Sequence, residues 1–112
     1  MKVQINIARN DRETNEPMSS ELWESFIYGV QKCFHNSTKT SKKFEWLAGG
    51  VYECFSSGEE SFFALADVGY SFDRVMFQIE IHALAMKFNQ DSIAVSYIYD
   101  GDNFLIRNIS TI

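Results

Sequence analysis

Proline occurs once in this chain, at Pro17, so nothing after the first loop interrupts a helix or the interior of a sheet. Cysteine and histidine are nearly as scarce, with two of each. Cys33 and His35 stand two residues apart, while Cys54 and His82 are remote from them. No set reaches the spacing of a structural zinc site, so no metal and no cofactor are expected. Both cysteines lie inside apolar patterns, and the N-terminus Met-Lys-Val-Gln-Ile-Asn lacks the apolar core of a signal peptide. Reduced thiols in a cytoplasmic protein are the expectation. No segment approaches the roughly 18–20 uninterrupted apolar residues of a membrane span. A phosphate-cradling loop is missing too, because Gly49-Gly50 has neither a following Lys-Ser/Thr nor a G-x-G-x-x-G frame.

Positive charge is also in short supply. Ten Lys and Arg face fifteen Asp and Glu, a net charge of −5. Phosphate contacts need clustered bases, so direct nucleic-acid binding is not expected. The deficit is uneven. Residues 1–43 hold seven basic and five acidic side chains, whereas residues 44–112 hold three basic and ten acidic. Such asymmetry suits either a solvated surface or an acidic face that meets a partner.

What the chain has is apolar bulk. Apolar residues make up 46% of its 112 residues, ten of them phenylalanine. That is enough for the core of one domain spanning 1–112. Val3, Ile5 and Ile7 alternate with polar residues as a strand with one buried face does. Arg9–Glu16 is a polar, turn-rich loop. Ser19 or Ser20 can cap a helix to about His35, whose stripe is Trp23, Phe26, Ile27, Val30, Cys33 and Phe34. Gly29 weakens its middle and predicts close packing against a neighbour. A basic loop, 36–43, leads to an aromatic strand over 44–55 that Gly49-Gly50 should bend or bulge.

Ser56-Ser57-Gly58-Glu59 reads as a hairpin turn into a buried strand, Ser61–Ala66. A second helix, about Phe72–Asn89, is apolar on two adjoining faces, Val75, Met76, Ile79, Ala83 and Met86 on one and Phe77, Ile81, Leu84 and Phe88 on the other. A helix so apolar should be covered on more than one side and lie centrally. Ser92–Tyr99 alternates, Asp100-Gly101-Asp102-Asn103 turns, and Phe104–Ile109 returns. The order β-α-β-β-α-β-β predicts an α+β fold, a mostly antiparallel sheet packed by two helices.

Chemistry-bearing constellations are thin. A Cys54–His82 nucleophilic pair would need the imidazole within hydrogen-bonding reach of the thiol, and His82 reads more simply as a core residue. Asp100-x-Asp102-Asn103 resembles the opening of a calcium loop, yet the chain runs on into Phe104-Leu105-Ile106. Tyr52, Phe55, Tyr97, Tyr99 and Phe104 offer aromatic strand faces like those that stack single-stranded nucleic acid, but only Arg107 accompanies them. Candidate partner contacts are therefore the acids Glu59, Glu60, Asp67, Asp91, Asp100 and Asp102, with Lys39, Lys42 and Lys43 of the basic loop.

Glu60-Ser61-Phe62-Phe63, followed by the helix exit Leu84-Ala85-x-x-Phe88-x-Gln90-Asp91-Ser92, resembles a small uncharacterised bacterial and phage family of unknown function. That family is marked by a Glu-Ser-Phe strand and a Leu-Ala-x-x-Phe-Gly-Gln-x-Ala/Ser helix exit. The resemblance covers about residues 50–106. It departs at Asn89, where the pattern has Gly, although Asn is next best at a left-handed helix terminus. It implies a fold and an occurrence in phages and mobile elements, with no activity attached. It singles out Glu60 and Gln90, as a shared surface or as a tie between strand and helix end.

The leading expectation is a small acidic intracellular binding protein. It would be a phage- or mobile-element-type accessory factor, of an anti-CRISPR or other anti-defence kind, that sterically inhibits a host protein complex. The alternative is a small enzyme or ligand-binding domain with a pocket near Cys54, Glu60, His82 and Gln90. A third is a self-associating module joined through an edge strand such as Val3–Ile7 or Phe104–Ile109.

Overall fold

Val3 and Ile5 are fully buried and Ile7 almost so, because their strand, β1 (Lys2–Ala8), lies at the centre of the sheet. The computed structural model describes residues 1–38, 44–69, 71–99 and 106–111. Around β1 stand β2 (Glu45–Glu53), β3 (Glu60–Asp67), β4 (Ala94–Tyr99) and β5 (Ile106–Thr111), in the spatial order β2-β3-β1-β4-β5. Every pairing is antiparallel, with Ile5 opposite Ala64 on one side and Val95 on the other. The sheet is therefore edged by β2 and β5. The N-terminal strand, expected as a possible edge, is the most enclosed of the five.

The side chains of Val3, Ile5, Ile7, Phe62, Ala64, Ala66, Val95 and Tyr97 form one face, and both helices cover it. Helix α1 (Ser20–Ser37) begins where Ser19 Oγ accepts the Leu22 amide at 3.2 Å. It buries Trp23, Phe26, Val30, Cys33 and Phe34, the three- and four-residue spacing of a single stripe. Helix α2 (Arg74–Lys87) begins where Asp73 Oδ1 accepts the Met76 amide at 2.9 Å. It buries Phe77, Ile81 and Ala85. The helices run antiparallel: Phe26 stacks on Phe88 with centroids 4.7 Å apart, Gly29 faces Leu84, and Asn36 meets Glu80. A Cβ on Gly29 would lie 2.9 Å from Leu84 Cδ2. The glycine does mark a close approach.

Three expectations change. Helix α2 is not covered on several sides, since Val75, Ile79 and Met86 are 70%, 65% and 72% exposed. Two adjoining apolar faces cannot both meet one sheet, and the Phe77–Ile81–Ala85 stripe is the one that does. Tyr97 is no stacking platform; it is fully buried, its hydroxyl accepts from Gln78 Nε2 at 3.0 Å, and the Arg74 guanidinium lies over its ring. The bulge in β2 falls between Trp46 and Ala48, just before the glycine pair.

Candidate functional site

Polar side chains gather in two places. The first is the corner where the loop after β1 meets the start of β3 and the end of α2. Arg9 organises it. Its Nη1 contacts Glu60 Oε2 at 2.7 Å and its Nε donates to Met18 O at 2.8 Å. The Asn10 amide donates to Glu59 Oε1 at 2.8 Å. Gln90, buried, donates through Nε2 to Asn10 O at 3.0 Å and Phe88 O at 3.3 Å. Asn89 sits at φ 54°, a left-handed terminus that Asn tolerates, and its amide donates to Asp11 Oδ1 at 2.9 Å. That bond, with those from the Glu13 and Thr14 amides, holds the Asp11 carboxyl below its ordinary range. Arg12 reaches Asp91 at 3.3 Å. Glu60 and Gln90 thus tie strand to helix end through the loop between them.

Glu59, Glu60 and Asp91 therefore share this corner, each already engaged. Asp67 lies at the far end of β3, seven residues or about 23 Å from Glu60 along an extended strand, where it accepts the Gly69 amide at 3.2 Å. Lys39, Lys42, Lys43, Asp100 and Asp102 lie outside the described residues. Cys54 sits at the same corner, in the hairpin between β2 and β3. Hydrogen bonds from the Ser56 and Ser57 side chains bring its thiol down to about 7, with Sγ 3.5 Å from Ser56 Oγ. His82 stands on the exposed side of α2, and no hydrogen bond or ion pair joins it to Cys54, Glu60 or Gln90 among the described residues. Among the described residues His82 is not brought to Cys54, Glu60 and Gln90, because it projects about 100° around α2 from Ile81 on the buried stripe that leads to Gln90. No three His, Cys, Asp or Glu side chains converge as metal ligands do among the described residues.

The second place is the groove between the helices, about 560 Å³ in volume. Gly29, Leu84 and Phe88 make its floor, and Tyr28, 64% exposed, stands on its rim. Its polar end is built from Glu80, Asn36 and Cys33. Asn36 Nδ2 donates to Glu80 Oε1 at 3.3 Å and Oε2 at 3.4 Å. Burial, then the Glu80 charge and a hydrogen bond to it, push the Cys33 thiol up to about 12. The half-buried Glu80 carboxylate has no ion pair among the described residues. Lys32 stands on the rim, and Lys87 lies at the other end, its Nζ 5.5 Å from the Phe88 ring. Composition and spacing do not pick out Glu80, a single acid on an apolar helix. The available signal was the pairing of a mid-helix glycine on one helix with a solitary acid on the other.

A second concavity, about 380 Å³, lies along β2 beside Trp46, Leu47, Gly49 and Phe62. Among the described residues, Gln31 supplies its one side-chain amide. No helix among the described residues is long and apolar enough to cross a membrane.

A scan against protein-family models finds no match, and a search of curated proteins finds none either. The family resemblance over residues 50–106 is thus carried by its quoted residues alone. Among solved structures, the chain is similar to a phage SAM lyase in complex with S-methyl-5′-thioadenosine, at TM-score 0.47 and 16% identity. The alignment covers 99% of this chain and 87% of that one. The leading expectation, a non-enzymatic steric inhibitor, is set aside in favour of its alternative, a small enzyme or ligand-binding domain: Glu59, Glu60 and Asp91, the acids that would meet a partner, are already paired within the corner.

Proposed function

We propose that this chain is a small-molecule-binding domain whose ligand lies in the groove between α1 and α2. The observation that carries this is the groove's make-up. Its volume of about 560 Å³ falls in the roughly 300–1,000 Å³ range of small-molecule sites, and an apolar floor with a few convergent polar groups is their usual lining. Gly29, Leu84 and Phe88 supply the apolar floor, and Glu80 with Asn36 supplies an oriented polar end. The corner around Arg9 has more polar groups but spends them on one another, and the β2 concavity has an apolar wall with a single amide.

The test is a fragment titration of the isotope-labelled protein by amide chemical-shift mapping, with S-methyl-5′-thioadenosine among the probes. Hits whose shifts cluster on Tyr28, Gly29, Lys32, Ala83 and Leu84 support the groove. Hits that cluster along Trp46–Gly50, or scatter over the surface, overturn it. Mass analysis of each bound probe then separates binding from turnover.

A further inference from the structure

We infer that the ligand of this groove carries a cationic group that pairs with Glu80, on an apolar or aromatic body that lies along Gly29, Leu84 and Phe88. The inference rests on the groove being the ligand site and adds the chemical class of what it takes.

Among the described residues, Glu80 is the one carboxylate lining the groove. A carboxylate beside an apolar floor attracts opposite charge more strongly than one in open water, and here the neighbours orient it without neutralising it. The Asn36 amide spans both carboxylate oxygens from the α1 side. Cys33, packed beneath, stays a protonated thiol at neutral pH. Neither partner brings positive charge. The two cations of the lining are placed otherwise. Lys87 lies seven residues from Glu80 along α2, about 10 Å at the helical rise, and its ammonium is drawn over the Phe88 ring. Lys32 is exposed on the opposite wall, and no ion pair joins it to Glu80. The carboxylate is thus presented to the groove without a counter-charge among the described residues.

The shape of the floor narrows the class. Gly29 and Leu84 are in tight contact, so the floor is shallow and continuous at that point instead of being split by a side chain. Tyr28 beside it offers an aromatic rim that can cover a planar body, and a cation next to an aromatic wall gains further attraction. An organic cation with an aromatic portion satisfies each part at once. An organic anion of the same shape would be repelled where it meets Glu80 at the polar end, Lys32 and Lys87 standing instead at the rim and the far end.

Three indole probes of matched body test this by amide shift titration at low salt: tryptamine, the neutral 3-(2-hydroxyethyl)indole, and indole-3-propionate. The expected result is groove binding in the order tryptamine, neutral, propionate, with tryptamine at least tenfold tighter than the neutral probe. In Glu80→Gln, an isosteric change, the tryptamine advantage should vanish while the neutral probe binds as before. The amide pattern far from the groove reports that the variant is folded, and Asn36→Ala, which leaves the charge but frees its orientation, should reduce the advantage without abolishing it. Equal binding of tryptamine and the neutral probe in the groove would overturn the cation assignment and leave the groove standing as the ligand site. No groove shift with any of the three would overturn both.

Discussion

The Arg9 corner and the helix groove both concentrate polar side chains, and they differ in whether those side chains finish one another's bonds. At the corner, each donor finds an acceptor: Arg9 holds Glu60, the Asn10 amide holds Glu59, and Gln90 holds the Asn10 carbonyl. In the groove, Glu80 is oriented by an amide and left without a counter-charge among the described residues. A closed network stabilises a fold and resists substitution. An open one keeps its interaction energy for something that arrives. The density of charged residues around Glu59 and Glu60 does not tell these cases apart. Completeness of pairing does.

Phe88 is where the two regions join, since its ring lines the groove and its carbonyl accepts from Gln90. Removing its stacking partner should strike both. Phe26→Ala is expected to lower the unfolding free energy by about 3–5 kcal/mol, measured by chemical denaturation, and to broaden the amide signals of groove and corner together. Arg9→Ala should cost less, about 2 kcal/mol, as charge-assisted bonds partly open to solvent are lost, with the groove amides unmoved. Gln90→Ala strands a buried carbonyl and should cost about 1 kcal/mol. Asn89→Gly keeps the positive φ but gives up the bond to Asp11, about 1 kcal/mol, and Asn89→Ala should lose about 1 kcal/mol more.

The cysteines sharpen the contrast. Cys54, brought down to about 7, should be alkylated by iodoacetamide at a rate that climbs through pH 7. Cys33, pushed up to about 12, should stay unmodified until the protein unfolds. The fold keeps the Cys33 proton beyond the pH at which an unfolded thiol gives it up. Its contribution is therefore complete below about pH 9 and lost as pH rises towards 12. Denaturation across that window should show the decline, and Cys33→Ala should flatten it. Equal labelling of the two thiols at pH 8 would remove the buried contact between Cys33 and Glu80.

Much of the fold was legible because it is written in periodicity. The two-residue alternation of Val3, Ile5 and Ile7 marks a half-buried strand, and the stripe from Trp23 to Phe34 marks a helix face. The left-handed exit at Asn89 was legible from its place in the Leu84–Ser92 stretch. Periodicity has no term for which of two apolar faces meets the sheet, so α2 looked central when its Val75–Ile79–Met86 side is exposed. Strand order is equally silent: nothing local to Val3–Ile7 says that two strands flank it. The site was the least legible part. Glu80 is one acid on an apolar helix, and its meaning comes from Asn36 and Cys33, which are more than 40 positions away and arrive only when the helices pack at Gly29.

The most direct measurement is the denaturation midpoint of Glu80→Gln beside that of Arg9→Ala. If Glu80 is an open group awaiting a ligand, its neutralisation should leave stability within about 0.5 kcal/mol of the parent, as for a surface position, while Arg9→Ala falls by about 2 kcal/mol. A Glu80→Gln loss as large as that of Arg9→Ala would show a closed structural contact at Glu80, and the distinction between corner and groove would fail.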